Sequence, residues 1–136
     1  MYLVDTSVWI DYLRGRNNNA DLFFQEILEN DIPFGMTGLI YQEVLQGAKT
    51  VSDYKKLDEY LSSQHFFHPA DNVKSYQKAA RIYFECRQKG ITIRSTIDCL
   101  IAQIAIENRL VLLHADQDFV RIGNVMPSLK MEFISG

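Results

Sequence analysis

The chain has 136 residues, a length that is usual for one domain, and we expect a single domain over residues 1–136. Apolar residues make up 47% of the sequence and charged residues 23%, which is typical of a folded globular protein and excludes a disordered chain. The net charge of −3 lacks the basic excess that nucleic-acid-binding proteins usually carry. If four acids were metal ligands, however, the rest of the chain would carry +1, so a phosphate-bearing substrate is not excluded.

The sequence contains no pattern that is typical of a membrane or secreted protein. No apolar run reaches the roughly eighteen residues that a membrane-spanning helix needs, and no signal-peptide pattern precedes the first predicted strand. Cys86 and Cys99 lack CxxC spacing and are expected to be buried thiols, as in proteins of reducing compartments. We therefore expect a cytoplasmic protein with no membrane association.

Strands and helices are predicted to alternate along the chain. The predicted strands are short apolar runs, at residues 1–5, 32–37, 66–67, 110–113 and 131–134. The predicted helices carry apolar residues at helical spacing, at residues 7–14, 20–30, 38–48, 51–63, 71–88, 96–108 and 116–122. This alternation predicts βαβ crossovers, and therefore an α/β fold with a mainly parallel sheet. On helix 71–88, Tyr76, Tyr83 and Phe84 follow helical spacing, and we expect them to pack in the core.

Two of the predicted strands end in acidic residues. Asp5 follows the first strand, and Asp116 and Asp118 follow the strand at 110–113. Ligands of α/β proteins bind beyond the carboxyl ends of parallel strands, so these acids are expected to share one pocket. Each acid also has a purely structural interpretation, because Asp is a favoured residue at helix caps and in turns.

Two further acids lie on predicted helices, next to apolar residues. Glu43 comes three residues after Ile40, so it falls within the apolar face of its helix, where a carboxylate is costly unless it is paired or binds a ligand. A small shift of the helix boundary would instead place Glu43 at the rim of that face. Asp98 lies in the first turn of its helix, where the helix dipole is by itself enough to favour a carboxylate.

A pocket that contains several carboxylates is suited to a metal ion. Mg²⁺ and Mn²⁺ prefer oxygen ligands, and one or two such ions can orient a phosphodiester and activate the water that hydrolyses it. The sequence lacks the GxSxG nucleophile elbow, the GxxxxGK[ST] phosphate loop and the GxGxxG dinucleotide fingerprint. These observations favour metal-dependent hydrolysis of a phosphodiester.

Four segments of the chain resemble the motifs of PIN-domain toxins of the VapC type. The first segment is MYLVDTSVWIDYLRG around Asp5, and the second is YQEVLQG around Glu43. The third is RSTIDCLIA around Asp98, and the fourth is LLHADQDF around Asp116. Each motif is weak alone, but the four together, in this order and spacing, are specific and extend over nearly the whole chain.

The resemblance implies a PIN-domain fold, in which helices flank a central, mainly parallel sheet of five strands. It implies an endoribonuclease that depends on Mg²⁺ or Mn²⁺ and acts as the toxin of a type II toxin–antitoxin pair, inhibiting translation and growth. It also implies a cognate VapB-type antitoxin on a separate chain and an RNA substrate, of which transfer RNA is a common example in the family. It further implies a homodimer, for which part of the aromatic face of helix 71–88 is the alternative interface.

Carried over to this chain, the resemblance implies four catalytic acids that bind the metal, at Asp5, Glu43, Asp98 and Asp116. Thr6 would support the site through its hydroxyl. Asp118 is a further candidate metal ligand, because family members differ in which acid of the last motif reaches the metal. Ala115 is a departure, since many relatives carry a basic or polar residue there, and it affects the expected RNA contacts at this edge rather than the metal site.

Basic residues and a histidine next to these motifs are candidate contacts for the RNA backbone, namely Arg14, Lys49, Arg94 and His114. For the basic residues a salt bridge or a solvated position is the alternative, and for His114 it is a hydrogen-bonded structural role, which we favour. Two other functions remain open. One is a PIN domain that recruits partners without catalysis, against which the intact acids argue. The other is a phosphoryl-transfer enzyme with an aspartyl nucleophile, which is disfavoured because the second acid that such enzymes carry two residues on is absent after Asp5.

Overall fold

The structure is a computed structural model, and it describes residues 1–135. Within these residues a single sheet contains five strands, all parallel, in the order β3-β2-β1-β4-β5. The strands are β1 (Tyr2–Val4), β2 (Phe34–Thr37), β3 (Phe66–Phe67), β4 (Val111–His114) and β5 (Lys130–Phe133). The predicted α/β fold with its five-stranded parallel sheet is therefore confirmed.

Seven helices accompany the sheet in this part of the chain. They are α1 (Thr6–Leu13), α2 (Asn19–Glu29), α3 (Gly38–Leu45), α4 (Val51–Ser62), α5 (Lys74–Gln88), α6 (Thr96–Glu107) and α7 (Gln117–Val125). Each lies where the apolar spacing predicts a helix, with ends that differ by a few residues. None of the helices within residues 1–135 is long and apolar enough to cross a membrane.

The sheet topology places the ends of β1 and β4 side by side. Leu3 of β1 is level with Leu112 of β4, and both are fully buried. Because the strands are parallel, all of them end at one edge, which we call the carboxyl edge. Helices α1, α3 and α7 begin directly after β1, β2 and β4 at this edge, and α6 also begins there because it runs back to the start of β4.

Helix α6 lies between the sheet and α5, and it is buried on almost every side. All residues from Cys99 to Ala105 are buried, which explains why this segment is apolar without a polar face. Cys86 of α5 and Cys99 of α6 are free, buried thiols, so the prediction for both cysteines is confirmed.

The core packing predicted for the aromatic residues of helix 71–88 is wrong for Tyr76 and Phe84, whereas Tyr83 packs partly against the core. Helix α5 packs on α6 through smaller side chains, at Ser75, Ala79, Ile82 and Cys86. Tyr76 and Phe84 are 53% and 49% exposed, whereas Tyr83 is partly buried beneath the guanidinium of Arg87. The aromatic spacing is helical, but close packing of two helices favours the face with the smaller residues, which leaves Tyr76 and Phe84 exposed.

Candidate active site

Asp5 ends β1 and is also the N-cap of α1. Its side chain is buried, and Oδ2 accepts hydrogen bonds from the backbone N–H of Ser7 at 3.1 Å and from the Ser7 hydroxyl at 2.7 Å. Both bonds reach the same oxygen. Asp5 therefore caps α1, as predicted, and it also lies at the carboxyl edge, where the sequence predicts a shared pocket.

Ser7 connects the two strand ends, a function that the sequence motif did not reveal. Its hydroxyl donates to Asp5 and accepts a hydrogen bond from the backbone N–H of Ala115 at 3.1 Å. A single side chain thus joins the start of α1 to the loop between β4 and α7. The only sequence signal for it is its place in the Asp5-Thr6-Ser7 run.

Thr6 and Glu43 link α1 to α3. The Thr6 hydroxyl donates to Oε1 of Glu43 at 3.1 Å. Glu43 is half-buried, between the buried Ile40 and Val44, so it lies at the rim of the apolar face rather than inside it. The rim position was the alternative that the sequence left open, and it lowers the cost of keeping this carboxylate charged.

Asp116 caps α7 at the end of β4. Its Oδ1 accepts a hydrogen bond from the backbone N–H of Asp118 at 2.9 Å, and its own N–H donates to Nδ1 of His114 at 3.2 Å. Since Nδ1 accepts, the proton of the neutral imidazole is on Nε2, which lies 3.2 Å from the Met131 sulfur. Burial lowers the pKa of His114 to about 4, so the ring is neutral at physiological pH.

His114 has the hydrogen-bonded structural role that the sequence favoured over an RNA contact. The side chain is completely buried, and both ring nitrogens face partners inside the protein. Its ring packs between Phe119 and Phe133, with centroid distances of 5.1 and 5.4 Å. His114 therefore stabilises the loop that carries Asp116 from inside the protein and does not form part of the surface.

The acids predicted from the sequence share one electrostatic environment at the carboxyl edge. The pKa of Asp98 rises to about 7, first because the carboxyl is buried and then because of the neighbouring carboxylates of Asp5, Asp116, Asp118 and Glu43. Burial also raises the pKa of Asp5 to about 6, and the charge of Glu43 adds to this effect. We call the site formed by Asp5, Glu43, Asp98 and Asp116 the acidic cleft.

Asp118 is adjacent to the acidic cleft, but its carboxylate has other partners. Its side chain is 4% exposed; Oδ1 lies 2.6 Å from Nη1 of Arg121, and Oδ2 lies 3.6 Å from Nε of Arg94. The backbone N–H of Arg94 also donates to Oδ2 at 3.3 Å. Both oxygens of Asp118 are therefore engaged by cations, in contrast to the carboxylate of Asp98.

The donor set of the acidic cleft fits a hard divalent cation. Within residues 1–135 no three His, Cys, Asp or Glu side chains converge closely enough to form a ready-made ligand shell. Mg²⁺ does not need one, because it keeps several waters and is commonly held by one or two carboxylates. Burial and the neighbouring carboxylates together raise the pKa of Asp98 to about 7, and a bound cation would stabilise such a set of acids.

A groove between α1, α3 and α4 opens beside Glu43. It has a volume of about 710 Å³ and an apolar floor that includes Ile10, Val44 and Leu57. Its lining also carries three basic residues, Arg14, Lys49 and Lys56, and two acids, Glu43 and Asp53, so that the basic residues are in excess. The candidate RNA contacts Arg14 and Lys49 therefore lie together on this side of the acidic cleft, whereas Arg94 lies on the other side, next to Asp118.

The chain resembles known proteins over almost its full length. The family model described as the PIN domain matches residues 2–125. VapC ribonuclease Mb1587 of Mycobacterium bovis is 31% identical over 126 residues, which cover 92% of this chain and 93% of the relative. Ribonuclease VapC11 of Mycobacterium tuberculosis has the same identity and coverage.

Solved structures with the same fold include toxin–antitoxin complexes. VapBC2 from Rickettsia felis, bound to a DNA fragment from its promoter, has a TM-score of 0.73 and 20% identity, and the match covers 97% of each chain. VapBC-1 from nontypeable Haemophilus influenzae has a TM-score of 0.74 and 18% identity, and the match covers 97% of this chain and 96% of that one. At these identities the two structures show a common fold.

Proposed function

The chain belongs to the PIN-domain family, among the VapC ribonucleases, and on this premise we propose that it is a Mg²⁺- or Mn²⁺-dependent endoribonuclease. The observation that carries the proposal is the acidic cleft, in which burial and then the charges of the neighbouring acids raise the pKa of Asp98 to about 7. A structural carboxylate gains nothing from such surroundings, whereas a carboxylate that binds a cation does.

In this proposal several residues of the acidic cleft bind one metal ion together. The candidate ligands are Asp5, Glu43, Asp98 and Asp116. When bound, the metal supplies a hydroxide-like water and neutralises charge on the phosphate. Thr6 orients the Glu43 carboxylate through its hydroxyl. Ser7 orients both Asp5 and the loop between β4 and α7, which leads to Asp116. Such supporting hydrogen bonds set the direction of a ligand's free lone pairs.

The proposed substrate is an RNA strand that passes over the carboxyl edge. Arg14 and Lys49 are exposed on the groove beside Glu43, where they could neutralise backbone phosphates on that side of the cleft. RNA that serves translation, such as transfer RNA, is the class of target that would make cleavage toxic to the cell. This target places the protein in the cytoplasm.

The test is cleavage of labelled RNA by the purified protein with Mg²⁺, with Mn²⁺ or with a chelator. We expect cleavage that requires the metal and is reduced about 10³-fold in Asp5→Asn and Asp98→Asn, because a lost ligand removes several kcal/mol of transition-state stabilisation. Glu59→Gln is the matched control, since Glu59 is an exposed acid on α4 and should leave the rate unchanged. Cleavage that persists in the chelator or in both Asp variants would contradict the proposal.

We further propose that a VapB-type antitoxin inhibits the enzyme by occupying the groove beside Glu43. The apolar floor favours a segment with apolar side chains, and the excess of basic residues in the lining favours one that also carries acids. Lys56→Glu should weaken inhibition by the antitoxin and leave RNA cleavage intact. Lys55→Glu is the control, because Lys55 is exposed on α4 but does not line the groove. Equal inhibition of both variants would place the antitoxin elsewhere.

A homodimer is the last part of the proposal, and the exposed rings of α5 support it. Tyr76 and Phe84, with Ile97 of α6 at 37% exposure, form an apolar surface next to a shallow cavity of about 370 Å³. Tyr76→Asp should convert a dimer to a monomer in light scattering. A wild-type protein that is monomeric at micromolar concentration would refute this part alone.

A further inference from the structure

Two arginines from separate elements converge on the single buried carboxylate of Asp118. Arg121 lies one turn further along α7, and Arg94 lies in the loop that precedes α6. The side chain of Asp118 is 4% exposed, whereas those of Arg94 and Arg121 are 76% and 44% exposed. The carboxylate is therefore hidden, and the two guanidinium groups face the solvent.

The charges of Asp118, Arg94 and Arg121 do not cancel one another. One carboxylate partners two guanidinium groups, so the group carries a net positive charge directly beside the acidic cleft. A structural ion pair would need one arginine only. The second arginine leaves donor N–H groups that can bind an anion, and guanidinium groups bind phosphate through paired hydrogen bonds.

The arginines line a shallow cavity that is open to solvent. The cavity has a volume of about 530 Å³, and its wall also contains the Thr92 hydroxyl and the Asn124 amide. Gly90, with a φ of +75°, forms the turn at its edge. The lining is thus rich in hydrogen-bond donors and contains no acid, since Asp118 lies behind the two arginines and not in the wall.

The cavity and the acidic cleft are neighbours in the fold. The hydrogen bond from the backbone of Arg94 to Asp118 joins the start of α6 to the start of α7. Asp98 lies in the first turn of α6, and Asp116 caps α7. The two sites therefore adjoin through the first turns of α6 and α7, an arrangement that suits two phosphates of one RNA strand.

We propose that Arg94 and Arg121 form a subsite for an RNA phosphate next to the scissile one, and that Asp118 is a positioning residue that holds both arginines. This inference rests on the proposed ribonuclease function, which it deepens. It also gives Asp118 a role other than that of a metal ligand, because both of its oxygens already have cationic partners. The two arginines are then binding residues on the side of the cleft opposite Arg14 and Lys49.

The first experiment measures kcat and KM on an RNA oligonucleotide for Arg94→Gln, Arg121→Gln and the double variant. We expect KM to rise on the order of tenfold in the double variant with kcat nearly unchanged, and the slope of log affinity against log salt to fall by about one per lost phosphate contact. Lys130→Gln is the control, because Lys130 is exposed at the start of β5, at the opposite edge of the sheet.

The second experiment locates the phosphate. Single methylphosphonate linkages remove one charge at a time around the mapped cleavage site. One flanking substitution should raise the KM of the wild type and leave that of the double arginine variant unchanged. Equal sensitivity of both proteins at every position, or an unchanged KM in the double variant, would overturn the subsite. A wild type that cleaves no RNA would instead refute the proposed function itself.

The third experiment separates positioning from metal binding at Asp118. Asp118→Asn should raise KM as the arginine variants do and keep the Mn²⁺ affinity of the wild type, measured by calorimetry without RNA. Asp98→Asn should lower that affinity. Loss of Mn²⁺ affinity in Asp118→Asn, with the fold intact by circular dichroism, would show a metal ligand and overturn the positioning role. If the variant does not fold, the arginine variants decide the subsite by themselves.

Discussion

Two clusters of partly buried polar groups lie at opposite edges of the same sheet, and the pKa values of their carboxylates shift in opposite directions. At the amino edge, where α6 ends, the carboxylate of Glu107 accepts hydrogen bonds from Ser75, Gln103 and the backbone N–H of Ala70. Burial would raise the pKa of Glu107, but these hydrogen bonds outweigh it and the pKa is lowered. At the carboxyl edge burial and like charges together raise the pKa of Asp98 to about 7.

The comparison separates a structural acid from one that is suited to bind a cation. Glu107 has enough donors to satisfy its charge, so it connects α5, α6 and the segment before α5. Asp98 is surrounded by acceptors and negative charges, which is unfavourable for stability in the absence of a cation. Functional sites commonly retain such unfavourable arrangements, because the ligand supplies the missing interaction.

The largest expected contrast is between Ser7→Ala and Ser75→Ala. Ser7 positions Asp5 and the loop that leads to Asp116, so its loss should reduce RNA cleavage about 10- to 100-fold, as is usual for residues that orient metal ligands. Ser75→Ala removes a hydrogen bond from Glu107 and should lower the melting temperature while the rate stays unchanged. If Ser75→Ala reduced the cleavage rate as much as Ser7→Ala does, the two edges would not differ in their importance for catalysis.

The next contrast concerns stability without metal, in Asp98→Asn and Glu107→Gln. Asp98→Asn removes a charge from a repulsive cluster, so it should raise the melting temperature in chelator by about 3 °C. Glu107→Gln removes a satisfied charge and should lower it by a similar amount. Differential scanning fluorimetry measures both. If Asp98→Asn melts below the wild type, the carboxylates of the acidic cleft do not repel one another appreciably.

The smallest expected effect is the pH dependence of the metal-free protein. Asp5 and Asp98 have pKa values of about 6 and about 7, both raised from 3.8, so the folded state holds their protons more tightly than the unfolded chain does. The two acids therefore contribute to the free energy of unfolding. This contribution is complete below their pKa in the unfolded chain and is lost as the pH rises through 6 and 7. The melting temperature in chelator should therefore fall by a few degrees between pH 6 and pH 8.

The contribution of His114 to stability depends on pH in the opposite direction to that of the two acids. Its pKa is lowered from 6.5 to about 4, so its contribution is complete above 6.5 and is lost as the pH falls through 4. Asp98→Asn should flatten the decline between pH 6 and pH 8, and millimolar Mg²⁺ should oppose it in the wild type by binding the ionised acids. A wild-type protein that is as stable at pH 8 as at pH 6 in chelator would contradict the raised pKa values.

The order of elements was predictable because each element is encoded locally. The run before Asp5 and the run before His114 are apolar without alternation, as strands buried on both faces are. In contrast, the exposed face of α5 was mispredicted. Its aromatic residues have helical spacing, but the contact with α6 uses the smaller residues on another face, and this choice depends on the shape of the partner helix.

The sequence by itself determined the succession of strands and helices and the acids at their ends, because periodicity and capping act between residues that are close along the chain. Only the tertiary structure decided which carboxylates are satisfied. Asp118 meets Arg94 across 24 positions, and Glu107 meets Ser75 across 32. Asp98 receives no such donor among the hydrogen bonds of residues 1–135 and lies instead among other acids. The difference arises from packing at the two edges of the sheet, and it is what marks Asp98 as a candidate metal ligand and Glu107 as part of the framework.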